Sequence, residues 1–369
     1  MKLTILQSNF VKAINQVSRV VGTRTTLPVL GNILISAEKG KITLSGTDLE
    51  VAITTQATGK IEEDGRLTIP ARLLSDFIVN NNDESISLKV SEDNKVHLSS
   101  DHFKANINGV SAEEFPTIPS LSKESFCNIK RTDFSDAIKK VLIAPANDET
   151  RPVLAGIYFE FKDKTLTLAA TDSYRLAEKK LTLESDIAEK KFIVPARTMN
   201  EVARLMGTAE NAENIAIAAT ENQVSFVIGE TEVVSRLIEG NFPNYSQIIP
   251  ASSKITATAD HQALTNAVKM TSLFAKDAAN NIKIKVVAKM LQISSAASEA
   301  GDATSEVEAE TSGGEVEIAF NSKYVLEVLQ VISDDKVVMQ FNDEASAGVI
   351  KSPKEDSFVY IVMPLRIDN

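Results

Sequence analysis

Apolar positions recur along this chain at two periods, and stretches of the two kinds alternate in a fixed order. Phe10, Ile14, Val17 and Val21 keep the three-to-four spacing of a helix with one buried face, and Ser8 stands where a cap would start it. Residues 41–56 and 85–100 instead alternate apolar and polar positions one by one, the pattern of strands with one buried face, joined at turns.

The order then repeats. "LTIPARLLSDF" (67–77) and "FIVPARTMNEV" (192–202) share an apolar-Pro-Ala-Arg opening 125 residues apart. "LPVLGNILIS" around Pro28 returns as "RPVLAGIYFE" around Pro152, and "SGTDLE" at Asp48 as "AATDSY" at Asp172, both 124 residues on. Phe10 opens "FVKAINQVSRVV" and Phe134 opens "FSDAIKKVLIA", while "EEFPTIP" at Phe115 returns as "GNFPNYSQIIP" at Phe242. A looser third copy follows element order: "HQALTNAVKMTSLF" takes the place of the first helix, "AFNSKYVLEVLQVIS" that of the Pro-Ala-Arg helix, and strands close the chain in "DSFVYIVMPLRI". A repeat of about 120 residues is a normal domain size. The expected domains are 1–122, 123–251 and 252–369, each with two helices and antiparallel strands, which is an α+β class.

Composition narrows the function. A single cysteine, Cys127, rules out a disulfide framework and suits a reducing cytoplasm. "MKLTILQSNF" is too short an apolar run for a signal peptide, and nothing approaches the roughly 18 apolar residues of a membrane span, so the expectation is a cytoplasmic protein with no membrane partner. His97, His102 and His261 share no metal-ligand spacing, and neither a phosphate-binding glycine loop nor a nucleophile motif is present. Asp48 and Asp172 each end a strand in its own repeat, where a side chain bonding nearby backbone amides explains them better than catalysis. The chain reads as a non-enzyme with no catalytic residue, no metal and no cofactor.

The net charge of −11 argues against a nucleic-acid partner until it is divided by element. The six expected helices (8–21, 71–79, 134–143, 197–206, 262–276 and 322–332) hold ten basic and four acidic side chains, a net of +6, so the rest carries −17. Solvated helix faces tolerate Lys and Arg. Three stacked copies, however, would bring six basic helices onto one surface, which suits phosphate backbone without base readout.

"MKLTILQSNFVKAINQV", "TLPVLGNILI", "GTDLE", "IPAR", "EEFP", "ATDSYRLA", "VPAR", "GNFPNY" and "YIVMPLR" together resemble, collinearly over essentially the whole chain, the bacterial DNA sliding clamp family, the beta subunit of DNA polymerase III. The resemblance implies the DNA clamp fold: a homodimer of three-domain subunits arranged head to tail as a ring around duplex DNA, with helices lining the hole. It implies DNA contacts at Arg24, Arg72, Lys139, Arg197 and Lys269. It implies a groove for peptides of the polymerase III catalytic subunit, the clamp loader and other proteins carrying a clamp-binding motif. The groove residues carried over are Leu154, Thr171, Tyr174, Arg175, Leu176, Pro243, Ile248, Ile361 and Met363, with Asn321, Tyr324 and Leu365 alongside. The dimer edge would place Leu273 and Phe274 against Phe77, Ile78 and Phe103 of a second subunit. The lysine- and arginine-free segment 294–317 would be outer sheet of the third domain rather than a disordered acidic linker. The competing classes are a repeat protein that binds replication partners without encircling DNA, and an enzyme using Asp48 or Asp172.

Overall fold

The computed structural model describes residues 1–22, 27–121, 125–148, 150–209, 211–275, 279–297 and 301–365, without the side chains of 296 and 297. The first run of elements is β1 (Lys2–Leu6), α1 (Gln7–Val17), β2 (Asn32–Glu38), β3 (Lys41–Thr47), β4 (Val51–Ala57), β5 (Gly59–Glu63), β6 (Gly65–Pro70), α2 (Ala71–Val79), β7 (Ser85–Val90), β8 (Lys95–Ser99) and β9 (Lys104–Asn108). The second is β10 (Cys127–Lys130), α3 (Arg131–Val141), β11 (Gly156–Thr171), β12 (Arg175–Pro195), α4 (Ala196–Thr208), β13 (Asn214–Ala219), β14 (Gln223–Ile228) and β15 (Thr231–Arg236). The third is β16 (Ile255–Asp260), α5 (His261–Ala275), β17 (Asn281–Val287), β18 (Met290–Ala297), β19 (Gly301–Ser312), β20 (Val316–Asn321), α6 (Ser322–Val331), β21 (Lys336–Phe341), β22 (Gly348–Lys351) and β23 (Phe358–Val362). Each run thus sets two helices into a series of strands, as the repeat predicts.

Contacts gather the chain into two units, Met1–Arg131 with Glu201–Leu237 and Thr132–Asn200 with Ile238–Asn369. The first holds a five-stranded sheet, β5-β1-β7-β8-β9, and an eight-stranded one, β10-β13-β14-β15-β4-β3-β2-β6. The eight-stranded sheet crosses from one repeat to the next, because β15 lies antiparallel to β4 from Thr231↔Thr55 to Ser235↔Val51. The second unit holds a ten-stranded sheet, β11-β12-β23-β22-β21-β16-β19-β18-β17-β20, and here β23 lies antiparallel to β12 from Arg175↔Val362 to Lys179↔Phe358. One pairing rule therefore joins successive repeats: the last strand of one lies along the strand that follows the Thr-Asp turn of the repeat before it.

Local chemistry explains the element ends. α1 buries Phe10, Ala13, Ile14 and Val17, and its end sits directly on β3: a methyl group on Gly46 would lie 2.8 Å from the Val17 carbonyl oxygen. Ser8 does not cap this helix. The helix begins at Gln7, whose N–H donates to the Glu84 carbonyl at 2.9 Å, so a distant backbone group supplies the partner a cap would have provided. Pro70 and Pro195 are the last residues of β6 and β12. Pro70 closes an edge strand of the eight-stranded sheet, a place where a ring without an N–H is tolerated, and α2 starts one residue later.

The acidic segment is sheet. In β19 Glu306, Glu308 and Glu310 are exposed while Val307 and Ala309 are buried, the alternation of a strand with one wet face; Glu299 lies outside the described residues. Phe10, Phe134, Phe159, Phe161, Phe226, Phe320, Phe341, Phe358 and Tyr360 are the largest fully buried side chains. Burial also pushes the Cys127 thiol up to about 11, which keeps it a packed, unreactive group.

Candidate functional site

Both aspartates form turns. Asp172 Oδ1 accepts from the N–H groups of Tyr174 and Arg175 at 2.9 and 3.0 Å, and Asp48 Oδ1 accepts from Glu50 and Val51 at 3.1 and 2.9 Å. Thr171 and Thr47 complete the same turn, each hydroxyl donating to the carbonyl four residues on and accepting an N–H two residues on. Ser173 and Leu49 pass through positive φ, 79° and 77°, to make the bend. The enzyme reading thus loses its two candidates. Among the described residues no group of three or more His, Cys, Asp or Glu could hold a metal ion, and no helix is long and apolar enough to cross a membrane.

Several residues that the resemblance assigns to a groove gather at the Asp172 turn. Tyr174 projects from it, 59% exposed, and its carbonyl accepts the Met363 N–H at 2.8 Å where the β12–β23 pairing ends, so Tyr174 and Met363 stand side by side. The segment after β15 covers the flank. Phe242 and Ile249 pack on a core cluster that contains Leu176 and Ile361, Phe242 stacks on Tyr158 at 5.1 Å, and the Tyr245 hydroxyl donates to Glu178 at 2.7 Å. Burial, followed by the neighbouring Glu178 carboxylate, drives the Tyr245 hydroxyl pKa well above its ordinary value, so it stays a donor. Pro243 and Ile248 are exposed on this segment.

The remaining groove residues are less open than the resemblance implies. Leu154, Leu176 and Ile361 are buried within the chain, the last only 1% exposed, whereas Tyr174, Ile248 and Met363 are exposed. Thr171 is committed to the turn. Arg175 is buried too: its Nε donates to Asp172 Oδ2 at 3.0 Å, its Nη1 bonds Glu327, and its guanidinium lies 4.3 Å from the Tyr324 ring centre. Asn321 accepts from the Lys323 N–H at 2.9 Å and so caps α6, and Leu365 is half-buried with its N–H on the Ala319 carbonyl. Two groups at the site escaped the sequence reading. Arg151 reaches the turn, donating to Ser173 Oγ at 2.8 Å, and nothing in the sequence marks it. Glu327, one helical turn beyond Tyr324, was legible only as a helix-face acid.

The DNA-contact set is distributed over four helices. Arg72, Lys139, Arg197 and Lys269 are all exposed, on α2, α3, α4 and α5, with Arg72 3.9 Å from Asp76; Arg24 lies outside the described residues. The helix charge is smaller at the surface than the sequence total. Lys140 is buried, Arg204 pairs with Glu201 and donates to the Asn15 and Gln16 carbonyls of α1, and Lys323 lies 3.9 Å from Glu327.

Of the expected dimer-edge residues, Leu273 and Phe103 are exposed and Phe77 and Phe274 half-buried. Ile78 is fully buried in its own domain and so is a core residue rather than contact surface. Leu6, Leu73 and Val79 are exposed in its place. Gln7 Nε2 donates to the Ile78 carbonyl at 2.9 Å and Asn81 Nδ2 to Ser100 Oγ at 3.0 Å, which gathers Leu6, Val79 and Phe103 at one end of the first repeat.

Family models describe the same three segments: the N-terminal domain of the DNA polymerase III beta subunit over residues 1–119, its central domain over 128–244 and its C-terminal domain over 246–366. A beta sliding clamp of Staphylococcus epidermidis is 30% identical over 376 residues, covering 99% of each chain. The DNA polymerase sliding clamp of Bacillus subtilis superposes with a TM-score of 0.95 at 26% identity, covering 100% of this chain and 99% of that one. A sliding clamp of Pseudomonas aeruginosa bound to griselimycin gives 0.94 at 29% identity over the whole of both chains. With all three segments matched in order and the fold in agreement, the chain belongs to the DNA polymerase III beta-subunit family, the bacterial sliding clamps.

Proposed function

We propose that the chain closes with a second copy, head to tail, into a ring around duplex DNA, and tethers the polymerase, the clamp loader and other partners through the groove beside Tyr174 and Met363. The boundaries we assign to its three domains are 1–122, 123–251 and 252–369. One observation carries the reading. Twice within the chain a last strand covers the strand after a Thr-Asp turn, β15 on β4 and β23 on β12. Among the described residues, β9 keeps an open edge, and β19 pairs with β18 along 301–308 but with β16 only along 309–312. A second copy's β9 on β19 continues the rule and leaves neither edge exposed, which an unprotected strand requires. Such a ring works without turnover: topology holds it on DNA, so each phosphate contact stays weak and the ring slides.

For the DNA contacts, retention on nicked circular DNA across a salt series is the measurement. Arg72→Ala and Arg197→Ala should each shorten retention modestly and lower the slope of log retention against log salt by up to about 0.9, with unchanged thermal stability. Unchanged slopes for both would remove these residues from the interface.

For the groove, calorimetry with a clamp-binding peptide is the test. Its apolar anchor is expected to bury against the exposed Tyr174, Ile248 and Met363. Met363→Ala should cost on the order of 1–3 kcal/mol of peptide binding, and Tyr174→Ala with Met363→Ala should abolish it while the dimer and retention on circular DNA persist. Wild-type affinity in the double variant rejects the groove; simultaneous loss of the dimer marks the pair as structural instead.

A further inference from the structure

The first helices of the three repeats, α1, α3 and α5, bury the same positions: the fourth, seventh, eighth and eleventh residues are buried in each, as Phe10, Ala13, Ile14 and Val17, as Phe134, Ala137, Ile138 and Val141, and as Leu264, Ala267, Val268 and Thr271. The tenth residue breaks the match. It is Gln16, 9% exposed, then Lys140, 4% exposed, then Met270, 58% exposed.

The first two are buried by the strand that the next repeat lays alongside. Gln16 Oε1 accepts from Thr55 of β4 at 2.6 Å and from Thr231, the first residue of β15, at 3.1 Å. Lys140 Nζ donates to Asp136 at 2.8 Å and to Glu355 at 2.7 Å, just ahead of β23, and lies 5.7 Å from the ring of Phe358, the first residue of β23. Lys179, which stands 124 residues after Thr55, bonds the same Glu355. Each junction between repeats thus has its own chemistry at one helical position, neutral polar in the first and ionic in the second. At the third, Met270 faces outward with Leu273 one turn further on, itself 56% exposed, and α5 packs on β18 and β19 as α1 packs on β3 and β4.

We infer that Met270 is the anchor of the junction between two copies of this chain, buried there by the start of the second copy's β9 as Gln16 and Lys140 are buried by the starts of β15 and β23. This rests on the head-to-tail dimer proposed above and names the residue and the chemistry that close it. Phe103, exposed and immediately ahead of β9, supplies an apolar surface for a methionine. A thioether without charge fits a contact that must form and open between separate molecules, because closing desolvates no charge and the flexible side chain adapts its shape to the partner.

The test is sedimentation of the full chain over about 10 nM to 50 μM, with thermal melting as a check on folding, for Met270→Lys, Met270→Gln and the volume-conserving Met270→Leu. Because Met270 is exposed in the single chain, none of the three should change the melting of the monomer. Met270→Lys should weaken the dimer by about a hundredfold or more, Met270→Gln by roughly tenfold, and Met270→Leu by less than about threefold. A wild-type dimer accompanied by a Met270→Lys dimer of equal strength overturns the assignment of Met270 and leaves the dimer reading standing. A wild-type chain that stays monomeric at the highest concentration overturns both.

Discussion

Leu273→Ala combined with Phe274→Ala should leave a folded monomer at concentrations where the wild-type chain is a dimer. Both side chains stand on the last turn of α5, Leu273 exposed and Phe274 half-buried, with Met270 one turn before them. Exposed large apolar residues in the described chain fall chiefly in three sets: Leu6, Leu73, Val79 and Phe103 on the first repeat, Met270 and Leu273 on α5, and Tyr174, Ile248 and Met363 among the residues expected to form the groove. The first two sets lie on the first repeat, which ends in β9, and on α5, which packs on β19, and surface patches of that kind mark contacts. Truncating two central apolar anchors costs about 2 kcal/mol each, a dimer some thousandfold weaker. The cost to the fold is smaller than the cost to the dimer because Leu273 is 56% exposed and Phe274 only half-buried in the single chain. Sedimentation equilibrium read beside the melting curve checks both halves. A dimer that persists at nanomolar concentration would remove α5 from the interface.

Lys140→Ala should destabilise the chain itself by about 1–3 kcal/mol, the range for losing charge-assisted hydrogen bonds whose carboxylates keep access to water. Lys140 is buried, and its ammonium is held by Asp136 and Glu355 beneath the Phe358 ring, while Glu355 also receives Lys179. Removing the cation leaves the half-buried Glu355 with Lys179 alone, frees the exposed Asp136, and opens a gap the length of the lysine stem. The effect should depend on pH. Desolvation raises the Glu355 pKa, but the hydrogen bonds from Lys140 and Lys179 outweigh it and hold the group below its ordinary value near 4.5. For Lys140 desolvation acts downward and the bonds from Asp136 and Glu355 prevail, holding it above 10.5. The depressed carboxylate contributes stability above about pH 4.5 that is lost as pH falls through its folded value, and the raised lysine contributes below about pH 10.5 and fades above it. Denaturant unfolding of wild type and variant should therefore differ most between these limits and converge in acid. A constant difference down to pH 2 would mean that packing, and not the ion pairs, is what the substitution removes.

Helix and strand order, the threefold repeat and the turn role of Asp48 and Asp172 were all legible in the sequence. Each rests on local rules: a helix face repeats every three to four residues, a strand face every two, and an aspartate at a strand end bonds amides two and three residues on. Even the departures at helix starts are local in size, one residue at Ala196, and a cap at Ser8 replaced by the Glu84 carbonyl just ahead of β7. The groove was legible only through resemblance, and there the residue identities came without their exposure. Only the tertiary structure decided that Leu176 and Ile361 are buried while Tyr174 and Met363 are exposed, that Arg175 is already paired with Asp172 and Glu327, and that Ile78 faces inward. Gln16, Lys140 and Met270 show the reason most directly. They hold one place in one helical pattern, so local periodicity treats them alike, and what separates them is whether a strand more than 200 residues away in sequence, as for Gln16 with Thr231 and Lys140 with Glu355, comes to lie over them. The chain supplies that strand twice and leaves the third position open.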